Sequence, residues 1–155
     1  MLTQTSEYAL RAMCALASRP GETVPAAELA TQAGVPPPYL AKIMQQLAAT
    51  NFVSGRRGIG GGYALSVDPE RVTALEVVMA VGPIRKPRTA AELNELGDGF
   101  KALHERLDRA ASGVLSVLQE STIAEIAQDL SAITREEQVL SVQPASNGTP
   151  RSAAG

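Results

Sequence analysis

Among its 155 residues the sequence has one cysteine and one histidine, and these scarcities exclude most metal and redox chemistry. Cys14 cannot form an internal disulfide, and on its own it excludes any four-cysteine zinc or iron–sulfur site. His104 has no serine paired with it in a motif. The carboxylates fall at helical-surface spacings, as in Glu125 and Asp129 or Glu105 and Asp108, and read as solvated charge. The chain is therefore not expected to be an enzyme. Long apolar runs are lacking too, with none near the ~20 residues a membrane span needs. The opening "MLTQTSEYAL" has neither the basic start nor the apolar stretch of a secretory signal. A cytoplasmic protein with no membrane partner is expected.

Excess positive charge is also missing, since the net charge is −2. Taken alone, that argues against a nucleic-acid partner, but the charge is unevenly spread. Residues 1–65 carry Arg11, Arg19, Lys42, Arg56 and Arg57 against only Glu7, Glu22 and Glu28, whereas the remainder is acidic. A mildly basic first part and an acidic second part suggest a division of labour.

The first part reads as three helices. "QTSEYALRAMCALAS" places Tyr8, Ala12, Ala15 and Leu16 on one stripe, with Ala9 and Met13 beside them, capped by Ser6 or Thr5 and ended by "RPG". "PAAELATQAG" fits a short helix that starts at Pro25 and stops at Gly34, with Leu29 and Ala30 inward. "VPPPYLAKIMQQLAATN" begins a third near Pro37 or Pro38, because proline is tolerated only in a first turn. Its Leu40, Ile43, Met44 and Leu47 share one face; Tyr39, Lys42, Gln45 and Gln46 fall largely on the other. Two short helices joined by "QAGVP" form a helix-turn-helix pattern, although an ordinary helical hairpin would read the same way.

Next comes "GRRGIGGGYAL", with five glycines in eleven residues. A dinucleotide site needs a buried strand before its glycines and a helix after them. Here Phe52–Val53 and Tyr63–Leu65 are strand candidates on either side, and Tyr63 stands where a third fingerprint glycine would fall. No Gly-Lys-Ser/Thr ending marks a nucleotide loop. A β-hairpin tipped by Arg56 and Arg57 survives, which gives the order of a winged helix-turn-helix. Such a fold presents the start of its recognition helix to the major groove and its wing to the minor groove or to phosphates. Glycines such as Gly60 and Gly61 let the wing backbone approach the sugar–phosphate wall.

Beyond the wing, "TALEVVMAVG" is a helix with a Thr73/Glu76 capping box and Leu75, Val78 and Met79 inward. Residues 83–99 form a polar connection with a short helix at 89–96. "FKALHERLDRAASGVLSVLQES" repeats Phe100, Leu103, Leu107, Ala110 or Ala111, Val114 and Leu118 at helical spacing over more than five turns, on the order of 30 Å. Packing on its twin in a dimer is the economical use of such a helix; folding back on its own domain is the alternative. "STIAEIAQDL" closes as a short helix capped by Ser121 or Thr122. The expected organisation is a DNA-binding domain over 1–82, a connection with dimerisation and closing helices over 83–133, and a disordered tail over 134–155. The fold class is mainly α with a small β-hairpin wing.

Over roughly residues 1–130 the chain resembles the bacterial winged helix-turn-helix regulators related to the iron–sulfur regulator IscR and the nitric-oxide-sensitive repressor NsrR. The carriers are "YALRAMCALA", the run from "AAELATQAGVPPPYL" to "GRRGIGGGYALS", "TALEVVMAVG" and "STIAEIA". The resemblance implies a homodimer whose long helix, through Phe100, Leu103, Leu107, Ala111, Val114 and Leu118, forms the interface and crosses to the partner. It implies major-groove contacts from the segment holding Pro36, Pro38, Tyr39, Ala41 and Lys42. Arg57 matches a minor-groove arginine, with Arg56 its neighbour, and Thr3 and Thr5 match a phosphate-contacting region.

Two departures qualify this. Three prolines and Ala41 replace the small hydroxylated residues and glutamate of many relatives, which implies a different operator. The three cysteines that cluster-binding members carry before the long helix are absent, and His104 alone, at one relative's ligand position, cannot hold a cluster. The expectation is a DNA-binding repressor without an iron–sulfur cluster, its signal an unknown small-molecule or protein effector met at residues 83–104 or at the dimer interface. A winged helix that docks on a partner protein instead of DNA is the alternative.

Overall fold

A computed structural model describes residues 2–82, 84, 89–95 and 98–141. Helix α1 (Gln4–Ala17) runs through the centre of the molecule, its Ala9, Ala12, Met13 and Leu16 fully enclosed. Its cap is Thr3, whose extended backbone lets the hydroxyl accept from the Ser6 amide at 3.1 Å. Of the two expected caps, Ser6 is buried one turn inside and Thr5 is half-buried. Helix α2 (Ala26–Ala33) follows Pro25, which is its N-cap rather than its first residue, and ends at Gly34 in the left-handed conformation. Helix α3 (Pro37–Ala49) begins at Pro37, with Pro36 as N-cap. Its first turn has no intrahelical use for amide donors, so two prolines cost it nothing there. Leu29 of α2 and Leu40, Ile43, Met44 and Leu47 of α3 close on α1 as expected.

Strands β1 (Val53–Arg56) and β2 (Gly62–Leu65) pair antiparallel, Val53 opposite Leu65 and Arg56 opposite Gly62. The first strand extends further than its composition indicated: "SGR" is a poor strand former, recruited by pairing with "GYAL". Helix α4 (Ala74–Val81) carries the expected capping box, Thr73 and Glu76. Its inward face differs from expectation. Ala74, Val77, Val78 and Val81 are buried, Leu75 is half-buried and Met79 is exposed. "ALEVVMAV" is apolar almost all round, so periodicity could not choose a stripe; packing on α1 did.

Helix α5 (Ala90–Asn94) is a short helix with a Thr89/Glu92 capping box. Helix α6 (Asp98–Glu120) has 23 residues, about 34 Å of rise. Helix α7 (Ile123–Ser141) has 19 residues and is capped by Thr122 and Glu125. The Thr122 amide and hydroxyl hold the Glu125 carboxyl below its ordinary range. Helix therefore occupies 134–141, where a tail was expected, and 142–155 lies outside the described residues. The stretch "TREEQVLS" is made mostly of good helix formers, which extend α7 past its apolar part.

The turn between α6 and α7 is stitched to the loop before α4. Ala74 N donates to Ser121 O at 2.8 Å, and Ile123 N to Val72 O at 2.9 Å. Ile123 and Ala127 then plug into the core beside α1. No described helix is long and apolar enough to cross a membrane.

Candidate nucleic-acid interface

The start of α3 projects from the domain because α1 and α2 hold its other face. Pro36, Pro38, Tyr39, Ala41 and Lys42 are all exposed, as expected of a surface that reads another molecule. Tyr39 is 56% exposed. The ring of Tyr8 on α1 meets it edge-on, with centroids 6.1 Å apart. Tyr8 is held in turn: Gln4 Nε2 donates to its hydroxyl at 3.0 Å, and the Arg11 guanidinium lies 6.0 Å from its ring centre. Arg11 is fixed by an ion pair with Glu7. This array on α1 flanks Tyr39, and the sequence reading missed it; Gln4, Tyr8 and Arg11 at helical spacing were its only trace. Thr3, exposed, and Thr5 stand at the same end of α1.

The wing is a tight object. Arg56 ends β1, Arg57 follows it, and Gly61 N donates to Gly58 O at 3.0 Å to close the turn. The tip is consequently Gly58–Ile59–Gly60, not the arginines, and Ile59 is fully exposed there. The glycines serve the wing itself. A Cβ on Gly61 would lie 2.3 Å from Arg56 O, and one on Gly62 would lie 2.1 Å from Val24 O. Gly62 is crowded because the loop before α2 adds a one-residue third strand. Val24 N donates to Tyr63 O and Tyr63 N to Val24 O, both at 2.8 Å. Nothing in "ETVPA" announces that bridge, and it ties the base of the wing to α2.

Ion pairing sorts the cations of residues 1–65. Arg11 bonds Glu7, and Arg19 bonds both Glu22 and Glu28, the latter contact first in raising its pKa. Lys42, Arg56 and Arg57 make no ion pair among the described residues, and all three are exposed. The cations left without carboxylates are therefore those of α3 and the wing.

Along α6, Phe100, Leu103, Leu107 and Val114 are exposed, with Val117 joining them, while Ala111 and Leu118 are half-buried. Met79 of α4 is exposed as well. His104 is half-buried on the same helix. Part of the expected effector segment, residues 83, 85–88, 96 and 97, lies outside the described residues.

A family model described as "Rrf2: Iron-dependent Transcriptional regulator" matches residues 2–129. A helix-turn-helix-type transcriptional regulator of Mycobacterium tuberculosis (strain H37Rv) is 29% identical over 136 residues, covering 81% of this chain and 80% of the relative. Another, from Aquifex aeolicus, is 25% identical over 130 residues, covering 81% and 90%. Among solved structures, CymR, the global cysteine regulator of B. subtilis, superposes with a TM-score of 0.69 at 24% identity, covering 83% of this chain and 96% of that one. IscR from T. potens does so with a TM-score of 0.63 at 22% identity, covering 84% and 88%. At those identities the structural likeness bears on the fold.

The family description names iron, and the donors here do not fit an iron–sulfur cluster, which is held by thiolates. The sequence has one thiol, Cys14. It is buried in the core face of α1, and burial pushes it up to about 11. Among the described residues no three His, Cys, Asp or Glu side chains are grouped to hold an ion.

Proposed function

The chain belongs to the Rrf2 family of DNA-binding transcriptional regulators, and from that premise we propose that it is a cytoplasmic homodimeric repressor that works without an iron–sulfur cluster. Each protomer reads one half of a pseudo-palindromic operator. The start of α3 (Pro36, Pro38, Tyr39 and Lys42) faces base edges in the major groove, and the wing carries Arg56 and Arg57 into the adjacent minor groove, with Gly60 and Gly61 close to the backbone. Thr3 and Thr5 lie toward phosphate. The two copies of α6 meet through Phe100, Leu103, Leu107, Ala111, Val114 and Leu118.

The observation that carries the reading is that, within residues 1–65, the cations without carboxylate partners are Lys42, Arg56 and Arg57, all on α3 and the wing. A polyanion binds through such groups, and the overall charge of −2 does not interfere because it resides elsewhere in the chain. The exposed apolar face of α6 supports the dimer. The signal is a small molecule or partner protein acting at residues 83–104 or at the dimer interface. A thermal-shift screen over metabolites and metals that finds no ligand counts against that part.

The test is fluorescence anisotropy with the DNA upstream of the protein's own gene against random duplexes of equal length. Preference for the upstream fragment, with two protomers bound per site, is expected. Equal binding to both refutes sequence-specific regulation.

A further inference from the structure

Ile59 stands out on the wing because nothing in the fold asks for it. The turn needs glycine at Gly58 and Gly60, where φ is +91° and +72°. It needs only a residue with ordinary backbone between them, and a polar one would serve equally. A Cβ at Gly58 or Gly60 would meet nothing within 4 Å, so this end of the loop stands clear of the rest of the molecule. Ile59 is fully exposed at that end, the most exposed large apolar side chain described. Behind it stand Arg56 and Arg57, exposed and without carboxylate partners among the described residues. A single exposed isoleucine is unremarkable elsewhere on a surface. Here it leads two cations into whatever they bind.

If that ligand is DNA, a branched apolar side chain gains nothing from the charged phosphate wall. The surface that rewards it is the floor of the minor groove, where sugar and base edges are apolar, and above all the gap between two base pairs at an easily unstacked step. Gly58 and Gly60, with no side chains, leave room for the groove walls on both sides of it. The geometry points to Ile59 as an apolar wedge that enters the minor groove between the reach of the two arginines and selects deformable pyrimidine–purine steps there. This rests on the DNA-binding reading above. It adds a specificity-determining residue that makes no hydrogen bond to a base. Arg56 and Arg57 supply attraction and Ile59 tests whether the step will open.

The experiment is selection from a pool of random-sequence duplexes, run in parallel with the wild-type protein, Ile59→Ser and Ile59→Val. The residue touches nothing in the fold, so all three are expected to melt together. Wild type and Ile59→Val are expected to enrich a flexible step at a fixed distance from the half-site. Ile59→Ser is expected to keep the half-site, lose the flanking step, and bind the selected duplex about tenfold more weakly, the scale of one unburied isoleucine. With 2-aminopurine at that step, wild type should raise the fluorescence on binding and Ile59→Ser should not. Identical selections and affinities for wild type and Ile59→Ser overturn the wedge while leaving the regulator reading intact. Unchanged DNA binding with altered sedimentation of Ile59→Ser overturns it in favour of a protein contact. Failure of the wild type to enrich any sequence overturns the DNA reading itself.

Discussion

The distribution of ion pairs makes a quantitative prediction about salt. Within residues 1–65, three exposed cations per protomer, Lys42, Arg56 and Arg57, lack carboxylate partners among the described residues. If all three meet phosphates, a dimer neutralises six, and log K should fall against log salt with a slope of about −5. Replacing Arg57 by alanine removes one contact from each half-site. The slope should flatten by about 2 units, and affinity at moderate salt should drop about tenfold or more, as for a lost charge-assisted hydrogen bond. Arg19→Ala is the control: its guanidinium is already held by Glu22 and Glu28, so its loss should leave the slope unchanged. The assay is anisotropy of a labelled operator titrated at a series of potassium chloride concentrations. A monomer bound alone would show about half the slope. The reasoning is refuted if Arg57→Ala keeps the wild-type slope, or if Arg19→Ala flattens it as much.

Gly62→Ala would force a Cβ to within 2.1 Å of Val24 O and break both 2.8 Å bridge hydrogen bonds. It should cost about 3 kcal/mol in urea unfolding and weaken DNA binding, and an unchanged midpoint would contradict the tie between wing and α2. Cys14, pushed up to about 11 by burial, should resist iodoacetamide at pH 8 in the native state and react after unfolding. Because its folded pKa lies above the unfolded one, its contribution to stability is complete below about pH 9 and should be lost as pH rises through about 11; rapid native labelling would argue for a reactive, sensing thiol. Leu103→Glu places a charge in the exposed apolar face of α6 and should give monomers in sedimentation velocity at micromolar concentration, whereas a persistent dimer would move the interface elsewhere.

Much of the fold was legible because local signals agreed with the tertiary structure. Gly34 needed a left-handed residue, the prolines could stand only at the start of α3, and Thr73 with Glu76 spelled a capping box. What was not legible had no local signal. The Val24–Tyr63 bridge joins single residues 39 positions apart in the chain, and only the absence of a Cβ on Gly62 permits it. The inward face of α4 was undetermined because apolar residues surround that helix, and contact with α1 turned Met79 outward. The cap of α1 fell on Thr3 because Ser6, a plausible cap by type, was drawn into the core.

The candidate interface shows the same division between composition and arrangement. A net charge of −2 and a pI of about 5.5 describe an acidic protein, and the excess of cations over residues 1–65 is only a hint. Composition cannot say which cations are already satisfied. The helix α1 spacing pairs Arg11 with Glu7, and the turn into α2 brings Glu22 and Glu28 to Arg19. Only after those pairings are subtracted does the remaining positive charge of residues 1–65 concentrate on α3 and the wing. Glycines that seemed to serve an approach to DNA turn out to be required first by the hairpin, since Gly61 and Gly62 would collide with Arg56 O and Val24 O if they carried side chains. A wing so constrained by its own packing holds Arg56 and Arg57 on a rigid base. Its ligand contacts then depend on the identity of the few side chains it does carry, which is why substitutions at Arg57 and Ile59 should separate attraction from selectivity.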